Sequence, residues 1–255
     1  MMVPEARGVR FEADGAVGRV VLDRPEAANA FDLPAARALG QAVTAAESPT
    51  VRAVTVTGEG KRFCAGGDVA SFVATTDRPL YLWSLATELE AQLRRLAALP
   101  KPVVAGVHGA VAGAGLAFML NSDLVVAGRS TKFAFAYPGI GLTPDCGVSY
   151  LLPRAVGQQR ALELALSGRV LDADEACSWG LVSEVVDDDQ VALRTGELAS
   201  RLANGPMLAF GAAKRLIRDS WEVSRADNAK DEARTIARAV TDDEAERLIK
   251  DFLSR

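Results

Sequence analysis

Two clusters of small residues are the parts of this chain whose spacing could do chemistry. Phe63-Cys64-Ala65-Gly66-Gly67-Asp68-Val69-Ala70 removes side-chain bulk at successive positions, so backbone N–H groups could approach a ligand closely. Gly109-Ala110-Val111-Ala112-Gly113-Ala114-Gly115 lies between two apolar runs. Read as a strand-to-helix turn, it would offer unpaired amides and the positive end of a helix dipole to an oxygen bearing negative charge. Taken singly, each cluster also fits an ordinary tight turn. Neither is a nucleotide motif. Phe118 occupies the place of the third glycine after Gly113 and Gly115, and Gly58-Glu59-Gly60-Lys61 lacks the phosphate-loop spacing.

The elements that must position these clusters follow from periodicity. Val17 to Asp23, Val51 to Thr57, Val103 to Val107 and Leu124 to Ala127 read as strands, being short, β-branched and bounded by glycine, proline or charge. Leu33 to Ala46 has helical spacing, and Leu80 to Leu99 carries one face of Leu82, Leu85, Leu89, Leu93 and Leu96. The second glycine cluster is expected to turn into a helix over Leu116 to Asn121. Such alternation predicts an α/β fold with largely parallel strands. Beyond Gly157 helices dominate: Gln158 to Ser167, Asp172 to Trp179, Val191 to Ala203, Met207 to Trp221, Arg225 to Ala239 and Asp243 to Leu253, with one brief strand at Ser183 to Val186. No linker interrupts the chain, so one domain with a helical C-terminal part is expected. The apolar faces of these last helices fit intramolecular packing and subunit assembly equally well.

Composition narrows the function classes. A net charge of −4 over 255 residues gives no basic field for nucleic acid or an anionic membrane. The opening MMVPEARGVRFEADG has no apolar run and reads as no signal peptide, and no later stretch is apolar enough for a membrane span. Three widely spaced cysteines, Cys64, Cys146 and Cys177, suit a reduced cytoplasmic protein. With His108 the single histidine, a histidine-rich metal site is excluded and no metal is expected.

Taken in order along the chain, the segments resemble the enoyl-CoA hydratase/isomerase (crotonase) family. Those that carry the resemblance are Leu22-Asp23-Arg24-Pro25 with Asn29-Ala30, the first glycine cluster, and Lys101-Pro102-Val103-Val104-Ala105-Gly106-Val107-His108-Gly109. The second glycine cluster, Ile140-Gly141-Leu142 with Pro144, Leu152-Pro153-Arg154 with Val156-Gly157, and Ala176 with Trp179-Gly180-Leu181-Val182 complete them. The resemblance implies a spiral of ββα units over residues 1–190, holding CoA and acyl sites. It also implies a helical region over 191–255 that builds homotrimers, often paired into homohexamers. Two backbone amides, at Gly67 and Ala114, would form an oxyanion hole for an acyl-CoA thioester. The CoA arm would run along Gly67, Asp68, Val69 and Ala70, with Arg24, Ala28 and Ala65 as weaker candidates nearer the nucleotide and Gly66 also in the substrate site. Arg24 equally fits a solvated surface arginine. Coenzyme A would belong to the substrate, and no separate cofactor is expected.

The same resemblance bears on the reaction. Hydratases of the family use two glutamates. The matching places here hold Ala117 and Tyr137, so efficient hydration is not expected. Asp145 remains, in a context similar to isomerase-like members, where one carboxylate can move a proton from C2 to C4 and shift a double bond. Beside Pro144, it also reads as the N-cap of an apolar helix. A likeness to 4-chlorobenzoyl-CoA dehalogenases places Asp145, Tyr137 and Ser149-Tyr150 in matching positions, with Glu90 where those enzymes carry a histidine. Glu90 reads first as a solvated helix residue, with a second acid facing the acyl group as the alternative. His108 reads as structural, Tyr137 as pocket lining, and Cys64 and Cys146 as packing. A catalytically silent acyl-CoA-binding scaffold is the reading from a different class.

Overall fold

The structure is a computed structural model and describes residues 8–254. The N-terminal part of the segment read as free of a signal peptide, residues 1–7, lies outside the described residues. The chain opens as an antiparallel hairpin, β1 (Gly8–Asp14) and β2 (Val17–Asp23). Helix α1 (Leu33–Ala46) follows, capped by the Asp32 carboxylate, which accepts from the Ala35 N–H at 2.8 Å. Ala35, Leu39, Ala42, Val43 and Ala46 recur at helical spacing on its buried face. Then come β3 (Ala53–Gly58), the short α2 (Val69–Val73), α3 (Arg78–Ala98), β4 (Val103–Val107), β5 (Ala110–Ala112) and α4 (Ala114–Asn121). The chain continues through β6 (Leu124–Gly128), β7 (Lys132–Ala134), α5 (Val148–Val156), α6 (Gln158–Ser167), β8 (Val170–Leu171), α7 (Ala173–Ser178) and β9 (Glu184–Val186). It closes with α8 (Val191–Ala203), α9 (Met207–Asp219), α10 (Arg225–Ala239) and α11 (Asp243–Leu253).

One sheet runs β1-β2-β3-β4-β6-β9, and a smaller one runs β5-β7-β8. From β2 onward the larger sheet is parallel. Its central strands are buried along most of their length because helices cover both faces. Leu85, Leu89, Leu93 and Leu96 of α3 pack with α1 in the main core. Leu198, Ala199 and Ala203 of α8 cover the opposite face against Val17, Ala53, Val104 and Val126. The helical region that begins at Val191 therefore starts with a helix that is itself a layer of the core. In α10 and α11 no residue is buried, and Ile236, Val240, Phe252 and Leu253 are exposed.

The two sheets together make a spiral. β4 lies in the larger sheet and β5 in the smaller, followed by α4. β6 and β7 repeat the step, pairing in parallel with β4 and β5 respectively. Before them β3 lies in the larger sheet, and Cys64 makes a parallel bridge to Val111 of β5. Successive ββα turns thus stack directly on one another. Among the described residues no helix is long and apolar enough to cross a membrane.

Candidate active site

The stacking brings the two glycine clusters together. Cys64 pairs with Val111 and Val111 with Phe133. Three residues beyond the first two stand Gly67 and Ala114, at equivalent points of adjacent turns. The contact is close: a Cβ on Gly66 would lie 3.4 Å from the Ala112 carbonyl oxygen and 3.7 Å from the Ala114 nitrogen. Gly113 has φ 51° as the N-cap of α4, a left-handed conformation that favours glycine. The helix begins at Ala114, two residues earlier than its apolar run suggests, so the Ala114 N–H is the first of its unpaired donors. Among the described residues neither the Gly67 nor the Ala114 N–H has a hydrogen-bond partner within the protein. Around Gly67 a Cβ would meet nothing within 4 Å. Two unpaired amides on neighbouring turns beside open space can receive an oxygen carrying developing charge.

The rest of the first cluster divides into scaffold and free groups. The Asp68 N–H is already donated to the Phe31 carbonyl at 2.9 Å, and its carboxylate caps α2 at Ser71. Val69 and Ala70, in the first turn of α2, are exposed. Ala65 donates its N–H to the Ala28 carbonyl at 3.0 Å, which fixes the cluster against the Arg24–Asn29 loop. The Arg24 side chain is only 18% exposed and lies 2.9 Å from Asp68 and 3.2 Å from Asp32, which corrects the solvated-surface alternative. It is an internal tie between the loop, α1 and the Gly67 turn. Asn29 has no assigned role in the sequence reading, yet it is the latch of this region. Buried at φ 56°, it accepts from the Arg24 N–H through Oδ1 and donates to the Glu59 and Arg62 carbonyls. An asparagine followed by alanine just after a strand-ending proline was the available signal.

Asp145 is not a helix cap. Helix α5 is capped at Gly147, φ 76°, with no side-chain hydrogen bond, so the cap alternative fails. Instead the Asp145 carboxylate accepts from the Tyr137 hydroxyl at 2.9 Å. The Tyr137 ring lies within 4.0 Å of a Cβ position on Gly113 and packs edge-on against Phe135. Tyr137 therefore spans the distance between the amide turn and Asp145. Burial first, and then the charge of Asp145, hold its phenol well above the ordinary tyrosine range. It stays a hydrogen-bond donor. Tyr137→Phe is expected to slow proton exchange about tenfold, the worth of one charge-assisted hydrogen bond near 1.5 kcal/mol. The wild-type rate should show no step as pH rises through about 10, where a free tyrosine would ionise; a step there would contradict the raised phenol.

Ala117, at the place of the first hydratase glutamate, is fully buried on α4. Glu90, read first as a solvated helix residue, is half-buried. Its Oε2 is buried with no hydrogen-bond partner among the described residues, 3.4 Å from where a Cβ on Gly147 would stand. Burial raises its carboxyl above the ordinary range, Arg94 opposes the rise, and Asp145 adds to it. The signal was the helical row Ala86, Glu90, Leu93 and Ala97, which shares Leu93 with the leucine face; Leu93 and Ala97 are buried. Burial pushes the Cys64 thiol up to about 12 and raises that of Cys146 as well, so neither is poised as a nucleophile. His108 holds the Gly60 carbonyl at 3.0 Å, a loop contact.

The family model for enoyl-CoA hydratase/isomerase matches residues 12–255. The 1,2-epoxyphenylacetyl-CoA isomerase of Escherichia coli is 39% identical over 83% of this chain and 82% of its own. The trans-2-decenoyl-[acyl-carrier-protein] isomerase of Streptococcus mutans is 31% identical over 85% and 82%. The crystal structure of an enoyl-CoA hydratase from Mycobacterium smegmatis superposes with TM-score 0.89 at 31% identity, covering 97% of this chain and 96% of that one. The spiral of stacked ββα turns is the crotonase fold, and the chain belongs to the enoyl-CoA hydratase/isomerase family.

Proposed function

We propose that the protein is an enoyl-CoA isomerase that shifts a double bond in an acyl-CoA thioester with Asp145 as its single base. The observation that carries this reading is the Asp145 carboxylate, free of capping duty and held by the Tyr137 hydroxyl beside the amide turn. In the proposed sequence the thioester oxygen of a 3-enoyl substrate sits between the Gly67 and Ala114 amides. Asp145 takes a proton from C2, and the electron pair of that C–H bond becomes the enolate, with charge on the oxygen. Two preorganised donors stabilise that charge by several kcal/mol. The enolate then recaptures the proton from Asp145 at C4, which leaves the double bond conjugated with the thioester.

Hydration needs a group to activate water and another to supply a proton. The positions that would carry them hold Ala117 and a tyrosine that stays protonated. One relative named a trans-2-decenoyl-[acyl-carrier-protein] isomerase supports a double-bond shift, while another is named for an epoxide isomerase and others for hydratases. The test offers a 3-enoyl-CoA and crotonyl-CoA to the same preparation. The expected outcome is a rise in conjugated-thioester absorbance with the first, and hydration of the second far below about 10³ s⁻¹, the upper part of the usual turnover range. Rapid hydration with no shift would make the protein a hydratase with unfamiliar acids. Binding with neither reaction would make it a silent scaffold. Halide release from 4-chlorobenzoyl-CoA would move it to dehalogenation.

A further inference from the structure

Asp145 is half-buried, so the groups around it decide by which route a captured proton leaves. Its Oδ1 is occupied by the Tyr137 hydroxyl, a donor held protonated. Cys146 and Val148 beside it are buried. The other titratable group facing this turn is Glu90 of α3, whose Oε2 is shut away from solvent and lacks any hydrogen-bond partner among the described residues. A buried polar atom left unpaired costs about 1–3 kcal/mol, more if charged, and such an orphan calls for an explanation.

Glu90 also belongs to a second environment. A cleft of about 950 Å³ opens between α3, α5 and α9, and its walls include Glu90, Arg94, Gly147, Tyr150, Trp221 and Glu222. Gly67, Ala114 and Asp145 are not part of that lining. One carboxyl group thus touches the cleft while one of its oxygens is buried over the turn that carries Asp145. Gly147, two residues on from Asp145, has no side chain, and the Glu90 carboxyl lies over it.

We propose that Glu90 is the proton port of the site, exchanging the proton held by Asp145 with the water of the cleft. The step balances. The Asp145 O–H bond breaks as an O–H bond forms on Glu90, and a Glu90 O–H bond breaks as water takes the proton, so two bonds break, two form, and Glu90 ends in the state in which it began. Burial raises the affinity of the Glu90 carboxyl for a proton, Arg94 on its own helix lowers it, and Asp145 raises it further, while burial also raises the Cys146 thiol. In this scheme Asp145 decides whether a proton moves. Glu90 decides whether that proton is the substrate's own or the solvent's.

The inference rests on Asp145 acting as the base, and the experiment separates the two. Wild type, Glu90→Gln and Glu90→Met convert a 3-enoyl-CoA in D₂O, and mass spectrometry reads the deuterium gained per double bond shifted. Wild type is expected to incorporate deuterium, and both variants are expected to lower that ratio at least ~10-fold, as removal of one proton-transfer group would, whatever their absolute rates. A structural role would slow turnover without moving the ratio. The same variants are compared on butyryl-CoA, which has no bond to shift, for C2 exchange alone. If wild type exchanges C2 through Glu90 but leaves 3-enoyl-CoA unshifted, the isomerase reading falls and the port stands. An unchanged ratio in folded Glu90→Gln and Glu90→Met, or no deuterium gained by wild type on either substrate, overturns the port.

Discussion

Asp145→Asn is expected to slow C2 proton exchange of a bound acyl-CoA at least ~10²-fold, the usual range for removing a general base. Its thermal unfolding is expected to stay within about 0.5 kcal/mol of wild type, as for a substitution that breaks no cap and opens no cavity. The asymmetry follows from what Asp145 touches. The start of α5 is set by Gly147, whose φ of 76° lies in the left-handed region, and the side chain of Asp145 contributes no bond to the helix amides. Asparagine keeps the shape, and its amide oxygen can still accept from the Tyr137 hydroxyl at the 2.9 Å position. What it cannot do is take a proton. A large loss of stability with near-normal exchange would return Asp145 to a structural role.

Gly67→Val carries the second large effect. Gly67 has no positive φ, and a Cβ built on it meets nothing within 4 Å. A side chain there costs little in folding and projects into the space beside the free amide. An acyl thioester needs that space to bring its oxygen to the N–H. Blocking one donor of an oxyanion pair costs about 10²–10³ in rate, and the valine methyls add steric exclusion, so acyl-CoA turnover is expected to fall at least that far. The neighbouring glycine gives a contrast. At Gly66, φ is 116°, a conformation L side chains rarely adopt, so Gly66→Ala is expected to damage the turn itself even though its Cβ would only touch the Ala112 carbonyl oxygen. Normal turnover by Gly67→Val would place the thioester elsewhere.

The legible parts of the fold were those with enough length to show a period. Leu33–Ala46, Val191–Ala203, Arg225–Ala239 and Asp243–Leu253 stand at the limits their apolar spacing predicts, and Val103–Val107 does so as a buried strand. The smaller sheet was hidden because Ala110–Ala112, Lys132–Ala134 and Val170–Leu171 are too short for alternation to be seen. They are held by the spiral, not by their own propensity. β1 is absent from the sequence reading although Val9, Phe11 and Ala13 alternate strictly with Arg10, Glu12 and Asp14, the period of a half-exposed strand; Arg10 lies 2.7 Å from both Asp23 of the paired strand and Glu59.

At the site, the glycine clusters were readable, since small residues at strand-to-helix turns have few uses. Their meeting was not. It depends on Cys64 pairing with Val111, a contact 47 positions apart that no local pattern encodes. Asp145 beside a proline imitates a cap, and only the φ of Gly147 places the helix start beyond its reach. Arg24 and Glu90 show a common difficulty. Charge suggests solvent, but the fold buries Arg24 against two carboxylates and leaves one Glu90 oxygen unpaired.

The central claim is that one thioester oxygen is shared by two backbone amides while Asp145 faces C2. Its most direct test is the crystal structure of the protein with a non-reactive acyl-CoA bound. The account predicts the thioester oxygen about 2.7–3.1 Å from the nitrogens of both Gly67 and Ala114, with C2 within about 3–3.5 Å of an Asp145 carboxylate oxygen. A thioester oxygen bound away from either amide, or a C2 turned from Asp145 toward another acid, would contradict it.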